Sequence, residues 1–216
     1  MTEYKFDEDF DGFLEDFGVP HDTQSVSEDV VDSYRYKLPE QLFVYWRELG
    51  FCGFQSGLIW MVNPTEYQDL LDSWLEGTQF ESRNDLSVIA RSAFGELEVW
   101  AKGKKQVMAI NPNINVIYFY PEADKQENSN LQEDCNMRRF WGYQDIEFID
   151  KKDAAKSPLF FRALKKLGQL KSDEMYGFSH RLALGGKETL ENLEIVKLDV
   201  YHDLAQQMEP PQIIKV

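Results

Sequence analysis

Phenylalanines at 6, 10, 13 and 17, with Leu14 among them, recur at the three-to-four-residue spacing of a helix face, and Asp and Glu fill most positions between. The pattern predicts an amphipathic helix over 6–17, its Phe stripe turned to the core, closed by Gly18 and a turn at Val19 and Pro20. A second helix is expected within 27–36. A third has Pro39 in its first turn, where a missing N–H costs nothing, carries Leu42, Phe43, Trp46 and Leu49, and stops at Gly50. The glycine-rich stretch 50–57 reads as a turn-rich link into a strand over 58–62. Asn63 then caps a helix with Pro64 at its first position and Glu66 three residues on, and Tyr67, Leu70, Leu71, Trp74 and Leu75 form its apolar face before Gly77.

From residue 86 the period changes to two. Segments 86–92, 96–101, 106–110 and 116–120 are β-rich, and the links at Gly95, Gly103 and Asn111 to Asn113 are short enough for an antiparallel meander. Between 96 and 100 acids alternate with apolar residues, so one face of that strand is expected to be wet. Residues 121–136 read as an acidic loop into a short helix ending near 140–142. Ser157 and Pro158 open another helix, with Phe160, Phe161, Leu164 and Leu167 as its stripe and Gly168 as its stop. The segment 190–208 begins as a strand and finishes as a helix. The expected fold class is α+β: N-terminal helices packed on a mostly antiparallel sheet, with a smaller C-terminal α/β part. A change of charge character near 150 divides the chain into 1–150 and 151–216.

The 216 residues are 43% hydrophobic and 14% aromatic, enough apolar material for one large or two small domains and too much for a disordered tail. Thirty-eight acids against 23 bases give a net charge of −15, which repels phosphate backbones and anionic lipid and argues against direct nucleic-acid or membrane binding. The excess is concentrated: residues 1–32 hold 11 acids and one base, whereas 151–216 hold nine and eleven. Such a patch attracts a basic protein and speeds its encounter; the plainer reading is a solvated face that aids solubility. Two distant cysteines, Cys52 and Cys135, suggest neither a disulfide framework nor a zinc ribbon and fit a reducing cytoplasm. Acids stand where a signal peptide would need an apolar core, and no apolar stretch approaches the ~18 residues of a membrane span.

Candidate chemistry is sparse. Gly53 to Gly57 has the spacing G-x-x-S-G, which does not place Ser56 at the centre of a nucleophile elbow. Gly185, Gly186 and Lys187 lack the first glycine and the hydroxyl residue of a phosphate loop, Arg181 and Glu188 standing there instead. His21, His180 and His202 have no partner at metal-ligand spacing, and Asp72 and Glu76, one turn apart, read as a solvated helix face. No catalytic residue, metal ligand or cofactor is assigned, and the chain is read as a binding protein rather than an enzyme.

The runs Tyr36-Lys37-Leu38-Pro39-Glu40, Tyr45-Trp46-Arg47-Glu48-Leu49-Gly50, Gly57-Leu58-Ile59-Trp60-Met61-Val62-Asn63-Pro64 and Ala90-Arg91-Ser92-Ala93-Phe94-Gly95-Glu96-Leu97, with Trp100, resemble the GAD-like domain. Leu159-Phe160, Lys166-Leu167-Gly168, Asp173-Glu174-Met175-Tyr176-Gly177-Phe178, Leu182-Ala183-Leu184-Gly185-Gly186 and Glu191-Asn192-Leu193 resemble the domain that follows it in immunity proteins paired with type VI secretion DNase effectors. The resemblance implies a cytoplasmic protein that binds and neutralises a cognate DNase toxin and catalyses nothing; the alternative is a non-catalytic regulatory module for another basic protein. It implies scaffold roles for the motif residues and carries over no binding residue. Charge alone nominates the contacts: Asp7, Glu8, Asp9, Asp11, Glu15 and Asp16 on the first helix, then Glu122, Asp124, Glu127, Glu133 and Asp134 in the acidic loop. They would face the basic groove of a DNA-cleaving toxin.

Overall fold

In the computed structural model, which describes residues 6–216, Asp7 caps helix α1 (Glu8–Phe17) by accepting from the Phe10 amide, and Phe10, Phe13 and Phe17 are buried as their spacing requires. Residues 1–5, the start of the stretch read against a signal peptide, lie outside the described residues. Strand β1 (His21–Gln24) and helices α2 (Glu28–Tyr34) and α3 (Glu40–Leu49) follow, the last two starting at Ser27 and Pro39. Phe10 stacks on Tyr45 of α3 with ring centroids 3.9 Å apart, and Phe13 meets Trp141 edge-on at 5.2 Å. Trp141 belongs to a later helix, so the Phe stripe joins the two ends of the N-terminal half.

The link at 50–57 is not merely turns. Its first half is strand β2 (Phe51–Phe54), entirely buried and paired antiparallel with β3 (Ile59–Met61), Gly53 opposite Trp60. A Cβ at Gly53 would stand 2.8 Å from Nε2 of His21 and 3.1 Å from the Trp60 ring, so glycine is there to let those rings approach. Helix α4 (Pro64–Leu75) has the expected Asn63 cap, and β4 (Leu86–Ser92), β5 (Leu97–Ala101), β6 (Gln106–Asn111) and β7 (Val116–Phe119) form the expected meander.

After β7 come α5 (Pro121–Asp124), α6 (Asn130–Gly142), which is longer than the sequence suggested, and a single turn α7 (Ile146–Ile149). Helix α8 (Phe160–Leu167) is capped not by Ser157 but by Asp150, whose carboxylate accepts from the amides of Leu159 and Phe160 at 3.2 and 2.8 Å. Phe161 leaves the expected stripe and is about half exposed. The hairpin β8 (Glu174–Phe178) and β9 (Leu193–Lys197), helix α9 (Leu198–Gln206) and strand β10 (Gln212–Lys215) complete the chain.

The large sheet runs β1-β2-β3-β4-β5-β6-β7-β10, antiparallel except where β10 returns parallel to β7, Gln212 opposite Val116. The fold is therefore α+β with a mostly antiparallel sheet. The two halves share a core. Arg91, fully buried on β4, lies over the Trp60 ring at 4.6 Å and donates to the carbonyls of Ser172 (2.8 Å) and Lys171 (3.3 Å), and the Tyr176 amide donates to the Ala93 carbonyl at 2.8 Å.

Candidate functional site

The six nominated acids of α1 divide into two groups. Asp7 is spent inside the fold: besides capping the helix it accepts from the Tyr45 hydroxyl at 2.5 Å and from the Gln41 amide at 3.2 Å. Asp11 accepts from the Phe6 amide. Glu8, Asp9, Glu15 and Asp16 are exposed, and among the described residues none forms an ion pair. The division follows from position on the helix: Asp7 at the N-cap meets side chains of α3, Asp11 turns back to the Phe6 amide, and the others project away from the Phe stripe.

The acidic loop is largely an internal clasp. Asp124 pairs with Arg83 at 3.0 Å, and Arg83 also pairs with Asp85, whose hydrogen bond, with that of Asp124, holds the guanidinium firmly charged. Glu127 pairs with Lys104, whose ammonium also donates to the Asp124 carbonyl, and Asp134 accepts from the Gln41 amide at the start of α3. Glu133 is half-buried, and burial raises its carboxyl above the ordinary range. Only Glu122 and Glu127 are exposed, each beside a lysine, Lys125 and Lys104. The loop offers a partner much less free charge than α1.

The strand face expected to be wet, that of Glu96 and Glu98, is half-buried. Glu96 is held by Lys151 at 2.9 Å and by Asn111; Glu98 accepts from the Gln106 amide, and burial with the nearby Glu96 pushes its carboxyl up to about 8. Beside them, between α6 and the sheet, lies a groove of about 550 Å³ lined by Trp100, Gln106, Tyr120, Phe140 and Tyr143, with Lys105, Arg139 and Glu122 in its wall. The edge-to-face contact of Phe140 with Trp100, 6.3 Å between centroids, makes its floor. Burial raises the Tyr120 hydroxyl to about 12, so it stays a neutral donor. Tyr143 and, five residues on, Phe148 are 77% and 89% exposed. The groove adjoins α1, because a Cβ at Gly142 would stand only 2.7 Å from that of Asp9.

The residue types that elsewhere serve catalysis have structural work here. His202 is fully buried with Nδ1 accepting from the Trp74 indole and Nε2 bonded to the Gly95 carbonyl, each at 2.9 Å; burial drives it down to about 3 and it is a neutral imidazole. His21 sits half-buried against Trp60, and His180 is exposed in the turn that Asn192 braces. The Gly186 amide donates to the Arg181 carbonyl, so the glycine pair folds on itself and offers no cradle for phosphate. Burial pushes the Cys52 thiol up to about 12. Among the described residues no three of His, Cys, Asp and Glu come together to hold a metal.

Sequence reasoning nominated α1, and the structure leaves four of its acids available. The groove residues Lys105, Arg139 and Tyr143 are not among those charge nominates, since nothing in a linear sequence separates a surface aromatic from a core one. The only signal was the run 101–120, which has three lysines and no acid.

The GAD-like domain matches residues 8–114, and the family described as T6SS immunity protein Tdi1, C-terminal, matches residues 136–209. No curated protein matches the chain. Among solved structures the chain is similar to Atu4351 from Agrobacterium tumefaciens, at 23% identity and a TM-score of 0.84 over 96% of this chain and 92% of that one, a likeness of fold.

Proposed function

From the premise that the chain is a GAD-like domain followed by the C-terminal domain of the T6SS immunity protein Tdi1, we propose that it binds and neutralises a T6SS effector, and that this effector is a DNase. The match over 136–209 carries the immunity role. The exposed, unpaired carboxylates Glu8, Asp9, Glu15 and Asp16 support the mechanism: a nuclease that holds DNA presents a basic groove, and a fixed array of carboxylates competes for it as phosphates do. The same charge keeps the immunity protein itself off DNA. Binding takes place in the cytoplasm, where the nuclease would reach its substrate; among the described residues no helix is long and apolar enough to cross a membrane.

The test is co-purification with the toxin encoded beside this gene, followed by DNA cleavage at increasing amounts of this protein. Stoichiometric loss of cleavage in a stable complex is the expected result. A complex without loss of cleavage would favour a regulatory module for another activity, and no complex at all would remove the immunity reading for that pair.

A further inference from the structure

The groove between α6 and the sheet has chemistry opposite to that of α1. Its walls are largely aromatic; Glu122, which also lines it, is paired with Lys125, and the two cations, Lys105 and Arg139, make no ion pair among the described residues, whereas Lys104 and Lys151 nearby are each paired with a carboxylate. Lys105 is half-buried and Arg139 exposed, so a carboxylate that arrives on an apolar segment and covers the groove would pair with them as it shuts water out, which strengthens the pairing beyond that of an exposed pair. Its volume suits one or two side chains. Tyr143, largely exposed on the groove's rim, is the residue type that anchors protein interfaces.

We infer that this groove receives an apolar segment of the partner protein bearing an Asp or Glu, whose carboxylate pairs with Lys105 and Arg139. The inference rests on the immunity reading above and locates the anchor of that interface. A partner drawn electrostatically to α1 meets Gly142, against which Asp9 packs, and Tyr143 at the groove's rim is the next residue. The acids of α1 then govern how fast the complex forms, and the groove governs how slowly it comes apart.

The two roles separate under charge reversal. Lys105→Glu with Arg139→Glu makes the protein more acidic, so steering by net charge alone predicts equal or faster association with a basic toxin. Binding kinetics with the toxin encoded beside this gene are compared for wild type, this double variant, and Lys165→Glu with Lys187→Glu, which adds the same charge at exposed positions of the C-terminal part. The groove variant should dissociate ~10-fold faster or more, with the control close to wild type. Tyr143→Ala, which leaves charge untouched and lies at the surface, should raise dissociation as well. If the groove variant and Tyr143→Ala both behave as the control does, the groove is not the anchor, while the immunity reading stands. If wild type forms no complex, both fall. Sedimentation of the protein alone is the remaining arm: a dimer dissolved by the same reversal would give the groove to a second copy and overturn the assignment.

Discussion

The Tyr45 hydroxyl donates to Oδ2 of Asp7 across 2.5 Å while Oδ1 of the same carboxylate accepts from the Phe10 amide, so one acid both starts α1 and ties it to α3. Burial and this carboxylate hold the Tyr45 hydroxyl far above its ordinary pKa, as a neutral donor. Asp7→Ala should cost ~2–3 kcal/mol, from the lost cap and the stranded hydroxyl. Urea denaturation measures the loss; the association rate of the folded variant with its partner should stay within about twofold of wild type, because Asp7 is not free to face it.

The exposed acids should behave in the reverse way. Replacing Glu8, Asp9, Glu15 and Asp16 together by their amides should slow association and flatten its dependence on salt. Each single replacement should change affinity by no more than ~1 kcal/mol. Stability should fall only slightly, since Glu8 and Asp9 contribute a few tenths of a kcal/mol each through the helix dipole. Stopped-flow mixing at two ionic strengths checks this, and an unchanged rate at low salt would remove the electrostatic mechanism.

His202, fully buried, and Glu98, half-buried, tilt the pH profile of stability in opposite senses. His202 is held down at about 3 in the folded chain but ionises near 6.5 when unfolded, so the unfolded state takes up an extra proton below 6.5. Stability should fall as pH drops from 6.5 toward 3, by up to ~1.4 kcal/mol per unit from this residue, and His202→Gln should flatten that limb. Glu98 is raised to about 8 from 4.5, so its contribution is complete below 4.5 and is lost as pH rises through 8. Glu98→Gln, which can keep the bond to Gln106, should stabilise the protein at pH 8 by ~1–3 kcal/mol and leave it nearly unchanged at pH 4. Thermal unfolding across pH 4–8 reads both.

Arg91 has no substitute. Its planar guanidinium lies over Trp60 and reaches the carbonyls of Ser92, Lys171 and Ser172, and burial is what lowers its pKa. Arg91→Ala should cost at least ~3 kcal/mol by opening a cavity over Trp60 and leaving those carbonyls without their donor. Arg91→Lys should recover only part, since an ammonium cannot reach three acceptors in one plane. Chemical denaturation gives both values, and a Lys variant as stable as wild type would show that charge alone suffices there.

Local signals are legible in the amino-acid sequence alone. The Phe stripe of α1, the Asn63 cap of α4, the meander β4–β7 and the strand-to-helix passage into α9 each depend on residues within a turn or two of one another, and each forms where its spacing places it. The family resemblance and the excess of acid on α1 are equally legible, because motif order and charge are linear properties. Polar β1 carries no strand pattern of its own, and β10 pairs with β7 from about a hundred residues away, so both emerge only from tertiary pairing. The acids of 122–134 look free in sequence and become a clasp because Arg83, Lys104 and Gln41 arrive from other elements. Glu98 alternates as a wet residue should, yet it is half-buried and held by Gln106 of the next strand, while its neighbour Glu96 is held by Lys151 from the C-terminal part. A side chain's own chemistry decides which partners it can accept; which ones it meets, and how much water remains, is set by long-range packing that no local pattern encodes.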